Sequence, residues 1–161
     1  MSDLVCLKSK LKVGIRWAVV TDASAIAKLE LQSAVYENRA HPFTFTHSQF
    51  TYIWVDRLKS LEYKTILAYD DHNEILGFLT FKGLIEQGKI LALYIAPKYM
   101  RKGVGKLLLS TACQMVGIKG GNSIEVEVEV LNNGAIAFYN SLLFNKVSVK
   151  LGHLIVMKKE L

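Results

Sequence analysis

Residues 94–106, Tyr-Ile-Ala-Pro-Lys-Tyr-Met-Arg-Lys-Gly-Val-Gly-Lys, restrict the fold more than any other stretch. They join an apolar run to a helical pattern through a short, basic, glycine-containing turn. The run from Ile90 to Ile95 reads as a buried strand, and Pro97 breaks it. From Val104 onward the apolar positions are Val104, Leu107, Leu108, Ala112, Met115 and Val116, steps of three and four that mark one face of a helix over 104–118. Gly103 and Gly105 permit a tight turn with uncovered backbone N–H groups, and the positive end of the helix dipole points into it. The expected feature is a cradle for a pyrophosphate.

Ordinary strand-to-helix turns also carry two glycines one residue apart, so the charge pattern has to decide. Lys98, Arg101, Lys102 and Lys106 place four cations and no anion in nine residues. Of 20 basic residues, the other 16 face 14 acidic ones, so most of the formal charge of +6 sits at this turn. A nucleic-acid surface needs a stripe of charge, and nucleic acid is therefore not an expected partner. A Rossmann dinucleotide site fits less well, because the first glycine of its longer fingerprint is missing and the cradle comes late in the chain.

At 161 residues the chain reads as one domain, 1–161, with 1–12 a poorly defined lead-in. A content of 51% hydrophobic and 21% charged residues is ordinary for a soluble protein. The longest apolar run, Ile90 to Ala96, falls far short of the roughly 20 residues of a spanning helix, so no membrane partner is expected. Lys8, Lys10 and Lys12 follow Asp3 where a secretory signal would be apolar, which predicts a cytoplasmic protein. Neither Cys6 nor Cys113 has a Cys or His neighbour at metal spacing, so both read as reduced bystanders and no metal is expected.

The remaining elements alternate between strand and helix. Val13 to Val20 predicts a first strand, and Thr21-Asp22 caps a helix with Ile26, Leu29 and Tyr36 on one side. Asn38 to Thr46 reads as loop, and a second helix from about Ser48 to Ser60 turns Phe50, Ile53, Trp54 and Leu58 inward. Thr65 to Tyr69 and Ile75 to Lys82 form a hairpin about the turn Asp70 to Glu74, and Glu86-Gln87-Gly88-Lys89 turns into the buried strand. After the break at Gly120-Gly121-Asn122, Ile124, Val126, Val128 and Val130 alternate with Glu125, Glu127 and Glu129, the plainest period-two strand of the chain. A solvated sheet face explains three such glutamates, but a strand between crossover helices is covered on both faces, which would turn a carboxylate into a wet cleft. Asn132 then caps a short helix that carries Phe138 and Tyr139, the latter readable as a core aromatic. Val147 to Leu151 and Leu154 to Lys158 close the chain as a hairpin and offer a place for homodimer contacts.

From about Val13 to Leu161 these pieces resemble the GNAT N-acetyltransferase superfamily. Ile15-Arg16-Trp17-Ala18 with Asp22-Ala23, Ile26 and Leu29 is similar to its opening strand and helix. The turn resembles its cofactor motif, with Met100 at the Gln/Arg position and Arg101 following to supply the displaced charge. Glu127-Val128 through Asn132, Ala135 and Phe138-Tyr139 is similar to its strand, Asn and Tyr series, whose usual Gly-Phe ending appears as Leu143-Phe144. Met157 to Leu161 matches the closing strand. The resemblance implies an α/β fold, a mixed central sheet of about six or seven strands with splayed central strands, flanked by about four helices.

It also implies transfer of an acetyl group from acetyl-CoA to a small-molecule or peptide amine by direct attack in a ternary complex. N–H groups across Met100, Arg101, Lys102, Gly103, Val104, Gly105 and Lys106 would hold the pyrophosphate, and the backbone of Leu93, Tyr94 and Ile95 would pair with pantetheine as an added strand does. Asn132 would bond the same arm, Tyr139 would protonate the leaving thiolate, and strand N–H groups would stabilise the oxyanion. Glu127, twelve residues before Tyr139 as in relatives that acetylate protein amino termini, would accept the amine proton, with Glu86, Glu125 or a water chain as competitors. Tyr36, Glu37, His41, Phe43, Phe45, His47 and Tyr52 would line the acceptor pocket, His41 and His47 reading as loop or capping residues. A non-catalytic acyl-CoA sensor on the same fold is the alternative.

Overall fold

In chain order the elements are β1 (Val5–Cys6), β2 (Lys12–Trp17), α1 (Ala23–Tyr36), α2 (His47–Lys59), β3 (Lys64–Tyr69), β4 (Ile75–Gly83), β5 (Gln87–Ile95), α3 (Val104–Ile118), β6 (Ser123–Glu129), α4 (Asn133–Ser141), β7 (Asn145–Lys150) and β8 (Leu154–Glu160). They come from a computed structural model that describes residues 4–36, 45–83 and 86–161. The strands follow the order β1-β2-β3-β4-β5-β6-β8-β7, eight where six or seven were expected, because the lead-in supplies β1. The β5–β6 pair is parallel, whereas β1–β2, β2–β3, β6–β8 and β7–β8 are antiparallel. Among the described residues no helix is long and apolar enough to cross a membrane.

The chain forms two compact units. The first comprises Met1–Thr80 and Ala92–Leu109. Its core gathers Ile26, Ala27 and Leu29 of α1, Phe50 and Trp54 of α2, Leu67 of β3 and Phe78 of β4. Trp54 and Phe78 meet edge to face at 5.1 Å, and the Trp54 indole N–H donates to Glu30 Oε2 at 2.7 Å, which satisfies the polar end of a buried ring. Phe50 and Trp54, one helical turn apart, define the inward face of α2. Ile53 lies to the side of that face and is 38% exposed, contrary to the inward position expected for it. Thr46 and Gln49 form a capping box that starts α2 at His47. The expected strand to Val20 stops at Trp17, because Asp22 gathers the chain into a 3₁₀ turn over Val20–Asp22. Arg16 donates to both Asp22 carboxylate oxygens at 2.7 and 2.8 Å, and the Val19 N–H donates to one of them at 2.8 Å.

The second unit comprises Phe81–Leu91 and Ser110–Leu161. Ile124, Val126 and Val128 of β6 are buried, together with Met157 of β8 and Phe144. Gly88 on β5 is required by packing, since a Cβ there would lie 2.7 Å from Val116 Cγ2. The expected turn Glu86 to Lys89 is instead mostly strand: β5 begins at Gln87, and Gln87, Gly88, Lys89 and Ile90 pair with Ser123, Ile124, Glu125 and Val126. Polar side chains there are stabilised by partners across the ladder, which local composition does not reveal. Leu143 ends α4 in a left-handed conformation at φ 68°, and the Phe144 N–H donates to the Tyr139 carbonyl at 3.1 Å. Glycine is the residue that adopts this position without steric cost.

Candidate functional site

A single 3₁₀ turn, Pro97–Tyr99, leads from β5 toward α3. Arg101 at φ 57° and Gly103 at φ 95° are both left-handed, with one residue between them. Alternation of this kind turns successive backbone N–H groups toward one concavity, a nest for an anion. The Leu107 N–H donates to the Gly103 carbonyl at 3.0 Å as the helix begins, so the first turn of α3 presents its amide N–H groups and positive dipole end at the same place. Val104, fully buried, fixes the helix start in the core.

The four cations of this turn are not equivalent. Lys98 Nζ lies 2.6 Å from Glu74 Oε1, and the Tyr99 hydroxyl donates to Glu74 Oε2 at 2.9 Å. The bonds from Lys98 and Tyr99 hold the Glu74 carboxyl below the usual carboxylate range. Lys98 is thus neutralised by a residue 24 positions earlier that the sequence pattern did not single out. Arg101 and Lys102 are exposed and form no ion pair among the described residues, and Lys102 Nζ stands 5.4 Å from the Tyr99 ring.

Leu93, Tyr94 and Ile95 form the last part of β5. The Tyr94 ring packs against Phe78 at 5.4 Å, and the Ala96 N–H donates to the Leu76 carbonyl at 2.9 Å. The parallel ladder with β6 covers Gln87↔Ser123 to Ile90↔Val126, whereas β5 continues to Ile95 and β6 to Glu129.

In the second unit, Glu127 is held by two lysines. Lys89 Nζ lies 2.6 Å and Lys150 Nζ 3.0 Å from Glu127 Oε1, and Lys89 is 3.7 Å from Glu125 Oε1. Gln87 Nε2 donates to Glu125 Oε2 at 2.7 Å. The bonds from Lys89 and then Lys150 hold the Glu127 carboxyl below its ordinary range, so at neutral pH it is a firmly ionised, weak base. Lys150 escaped the sequence reading because only the antiparallel β6–β8–β7 pairing carries it to β6.

Asn132 caps α4, its side-chain oxygen accepting from the Ala135 N–H at 3.0 Å, which leaves the amide NH₂ outside the cap. Tyr139 is 5% exposed and packs edge to face between Phe138 and Phe144, each at 5.2 Å. Of the expected acceptor-pocket residues, Tyr36, Phe45 and Tyr52 are exposed. His47 is neither loop nor cap: it is the first residue of α2, after the Thr46 cap, and its Nε2 bonds the Ser24 carbonyl of α1 at 3.0 Å, a tie between the two helices. Glu37, His41 and Phe43 lie outside the described residues.

Residues 31–143 match the family model of the acetyltransferase (GNAT) family. Among curated proteins, the [ribosomal protein bS18]-alanine N-acetyltransferase of Salmonella typhimurium strain LT2 is 26% identical over 114 residues, 71% of this chain and 73% of the relative. The N-alpha-acetyltransferase of Sulfurisphaera tokodaii is 27% identical over 148 residues, 84% of this chain and 81% of the relative. Among solved structures, the PaiA N-acetyltransferase of Thermoplasma acidophilum in complex with coenzyme A aligns with a TM-score of 0.79 at 19% identity, covering 92% of this chain and 99% of that one.

Proposed function

This chain belongs to the acetyltransferase (GNAT) family and is an N-acetyltransferase of that type, and we propose that it acetylates the α-amine of a peptide or protein chain from acetyl-CoA. The observation that carries the cofactor half is the nest of Arg101 and Gly103 at the start of α3. It supplies N–H groups and a dipole to the pyrophosphate, and Leu93, Tyr94 and Ile95 offer backbone to pantetheine.

The acceptor half rests on Glu127. An α-amine has an ordinary pKa of about 7.7 to 8.0, so an appreciable fraction is neutral at pH 7, whereas a lysine side chain near 10.4 needs a strong base to free it. A carboxylate held ionised by Lys89 and Lys150 does not supply that base. It does suffice after attack, when the nitrogen bonded to the thioester carbon has become acidic. The attack forms the C–N bond, the nitrogen proton then passes to Glu127 directly or through water, the C–S bond breaks as the carbonyl reforms, and Tyr139 protonates the departing thiolate. The two curated relatives, named as a [ribosomal protein bS18]-alanine N-acetyltransferase and an N-alpha-acetyltransferase, support the same acceptor class.

The test is calorimetric titration with acetyl-CoA, followed by thiol release against peptides with free amino termini, the same peptides blocked at the amino terminus but carrying lysine, polyamines and aminoglycosides. Release with free amino termini alone is expected. Release with lysine-only peptides or polyamines would overturn the acceptor assignment, and absence of acetyl-CoA binding would overturn the cofactor site.

A further inference from the structure

The amino-terminal lead-in is a second wall of the anion site. The Leu7 N–H donates to the Leu11 carbonyl and the Lys10 N–H to the Leu7 carbonyl, both at 2.8 Å, which closes a tight turn between β1 and β2 with Lys10 at φ 66°. This turn is docked on the residues that form the nest. Ser9 Oγ donates to the Lys102 carbonyl at 2.8 Å, across 93 positions of sequence. Leu7 Cδ1 lies 3.5 Å from where a Cβ on Gly103 would stand, so the half-buried Leu7 packs on the glycine of the nest itself. The docking carries charge with it. Lys8 and Lys10 flank Ser9, both are exposed, and neither forms an ion pair among the described residues. The Ser9–Lys102 bond therefore brings together two turns that each carry exposed cations, Lys8 and Lys10 on one and Arg101 and Lys102 on the other.

The pyrophosphate alone does not account for these two extra cations, since the nest and the first turn of α3 already face it. Coenzyme A offers a second anion at the right remove: the 3′-phosphate on the ribose, one sugar away from the pyrophosphate. We propose that the β1–β2 turn, pinned by Ser9 to Lys102, presents Lys8 and Lys10 to the 3′-phosphate of coenzyme A and so makes this chain select the 3′-phosphorylated cofactor. The proposal rests on the placement of coenzyme A at residues 100–106. An exposed ammonium on a phosphate is a modest, salt-screened interaction, so two of them amount to roughly fivefold to tenfold in affinity.

Calorimetry of the intact protein with coenzyme A and with 3′-dephospho-coenzyme A, at fixed ionic strength, tests it. The wild-type chain is expected to bind coenzyme A about fivefold to tenfold more tightly. K8Q/K10Q is expected to lose that ratio while keeping its affinity for the dephospho compound. K28Q/K59Q, which removes two exposed lysines of α1 and α2 and changes net charge equally, is expected to keep the ratio. Equal wild-type affinities, an unchanged ratio in K8Q/K10Q, or the same loss in K28Q/K59Q would overturn the proposal and leave the cofactor site standing. Binding of neither compound to the wild-type chain would overturn both.

Discussion

The turn ahead of α3 and the polar face of β6 are both built from charged side chains, and they resolve their charges in opposite ways. On β6 every principal actor has a partner within the protein: Glu127 with Lys89 and Lys150, Glu125 with Gln87 and Lys89. At the turn Lys98 is matched by Glu74, while Arg101 and Lys102 stay exposed, with no ion pair among the described residues, beside a backbone already bent into left-handed conformations. The first arrangement is self-sufficient. The second leaves Arg101 and Lys102 open to an anion from outside, as the proposed cofactor site requires. A cluster of charge therefore marks a ligand site when its partners are missing, and a positioning device when they are present.

The sharpest way to break this contrast is Gly103→Glu, which places an anion and a Cβ at a left-handed position in the nest. Acetyl-CoA affinity in calorimetry should fall on the order of a hundredfold or more with the circular dichroism spectrum retained, and an unchanged affinity would put the cradle elsewhere. On the side of the second unit, Tyr139→Phe should lower turnover by roughly a hundredfold while coenzyme A affinity stays nearly constant. A wild-type rate would remove Tyr139 from the acid role. Arg101→Gly separates backbone from charge at the turn, since glycine accepts the φ of 57° without strain. Affinity should drop less than about tenfold, because the N–H groups remain, and a larger loss would make the guanidinium the main contact.

Lys89→Gln addresses the self-sufficient cluster. Lys89 is the largest cause of the lowered Glu127 carboxyl, so its removal should move that group back up toward its ordinary range. The acid limb of the pH–rate profile should shift to higher pH, and an unmoved limb would mean that Glu127 does not take the proton. The linked stability has the same sign: a depressed carboxyl stabilises the fold above its unfolded value and loses that contribution as pH falls through the folded one. The smallest effect belongs to Leu143→Gly, which relieves an exposed leucine at φ 68° and should raise stability by about 1 kcal/mol, a few degrees in Tm, with cofactor binding unchanged.

What the sequence disclosed was local. The 3.6-residue pattern of α3, the alternation of β6, the glycines of the turn and the Asn132 cap each depend on residues within a few positions of one another, and all appear where the pattern put them. What it withheld was pairing at a distance. Gln87 to Lys89 looked like a turn because their strand partners lie on β6, some 36 residues later. Glu74 on Lys98, Lys89 and Lys150 on Glu127, and Ser9 on Lys102 are set by sheet order and docking, neither of which leaves a period in the chain. Ile53 failed for a related reason: an apolar residue beside an inward face is not on it. The roles expected of Glu127, Tyr139 and Asn132 came from the family resemblance, and the two lysine partners of Glu127 are what support a weakly basic acceptor amine as the proposal.

The bond from Lys150 to Glu127 joins the outermost strand of one side, β7, to β6 over the intervening β8. Every residue of β7 is exposed, so little besides its ladder with β8 and this bond keeps it in place. Acid that protonates Glu127 removes this bond and leaves β7 to its ladder with β8, and because that carboxyl sits low, this requires pH below the ordinary glutamate range. This edge already presents a row of peptide groups with two valines at half exposure, a template on which another molecule's strand can pair once the strand is less firmly held. The carboxylate proposed to take the substrate proton is thus also a tie on the edge strand, and turbidity on acidification that appears before the core unfolds is the expected sign of it.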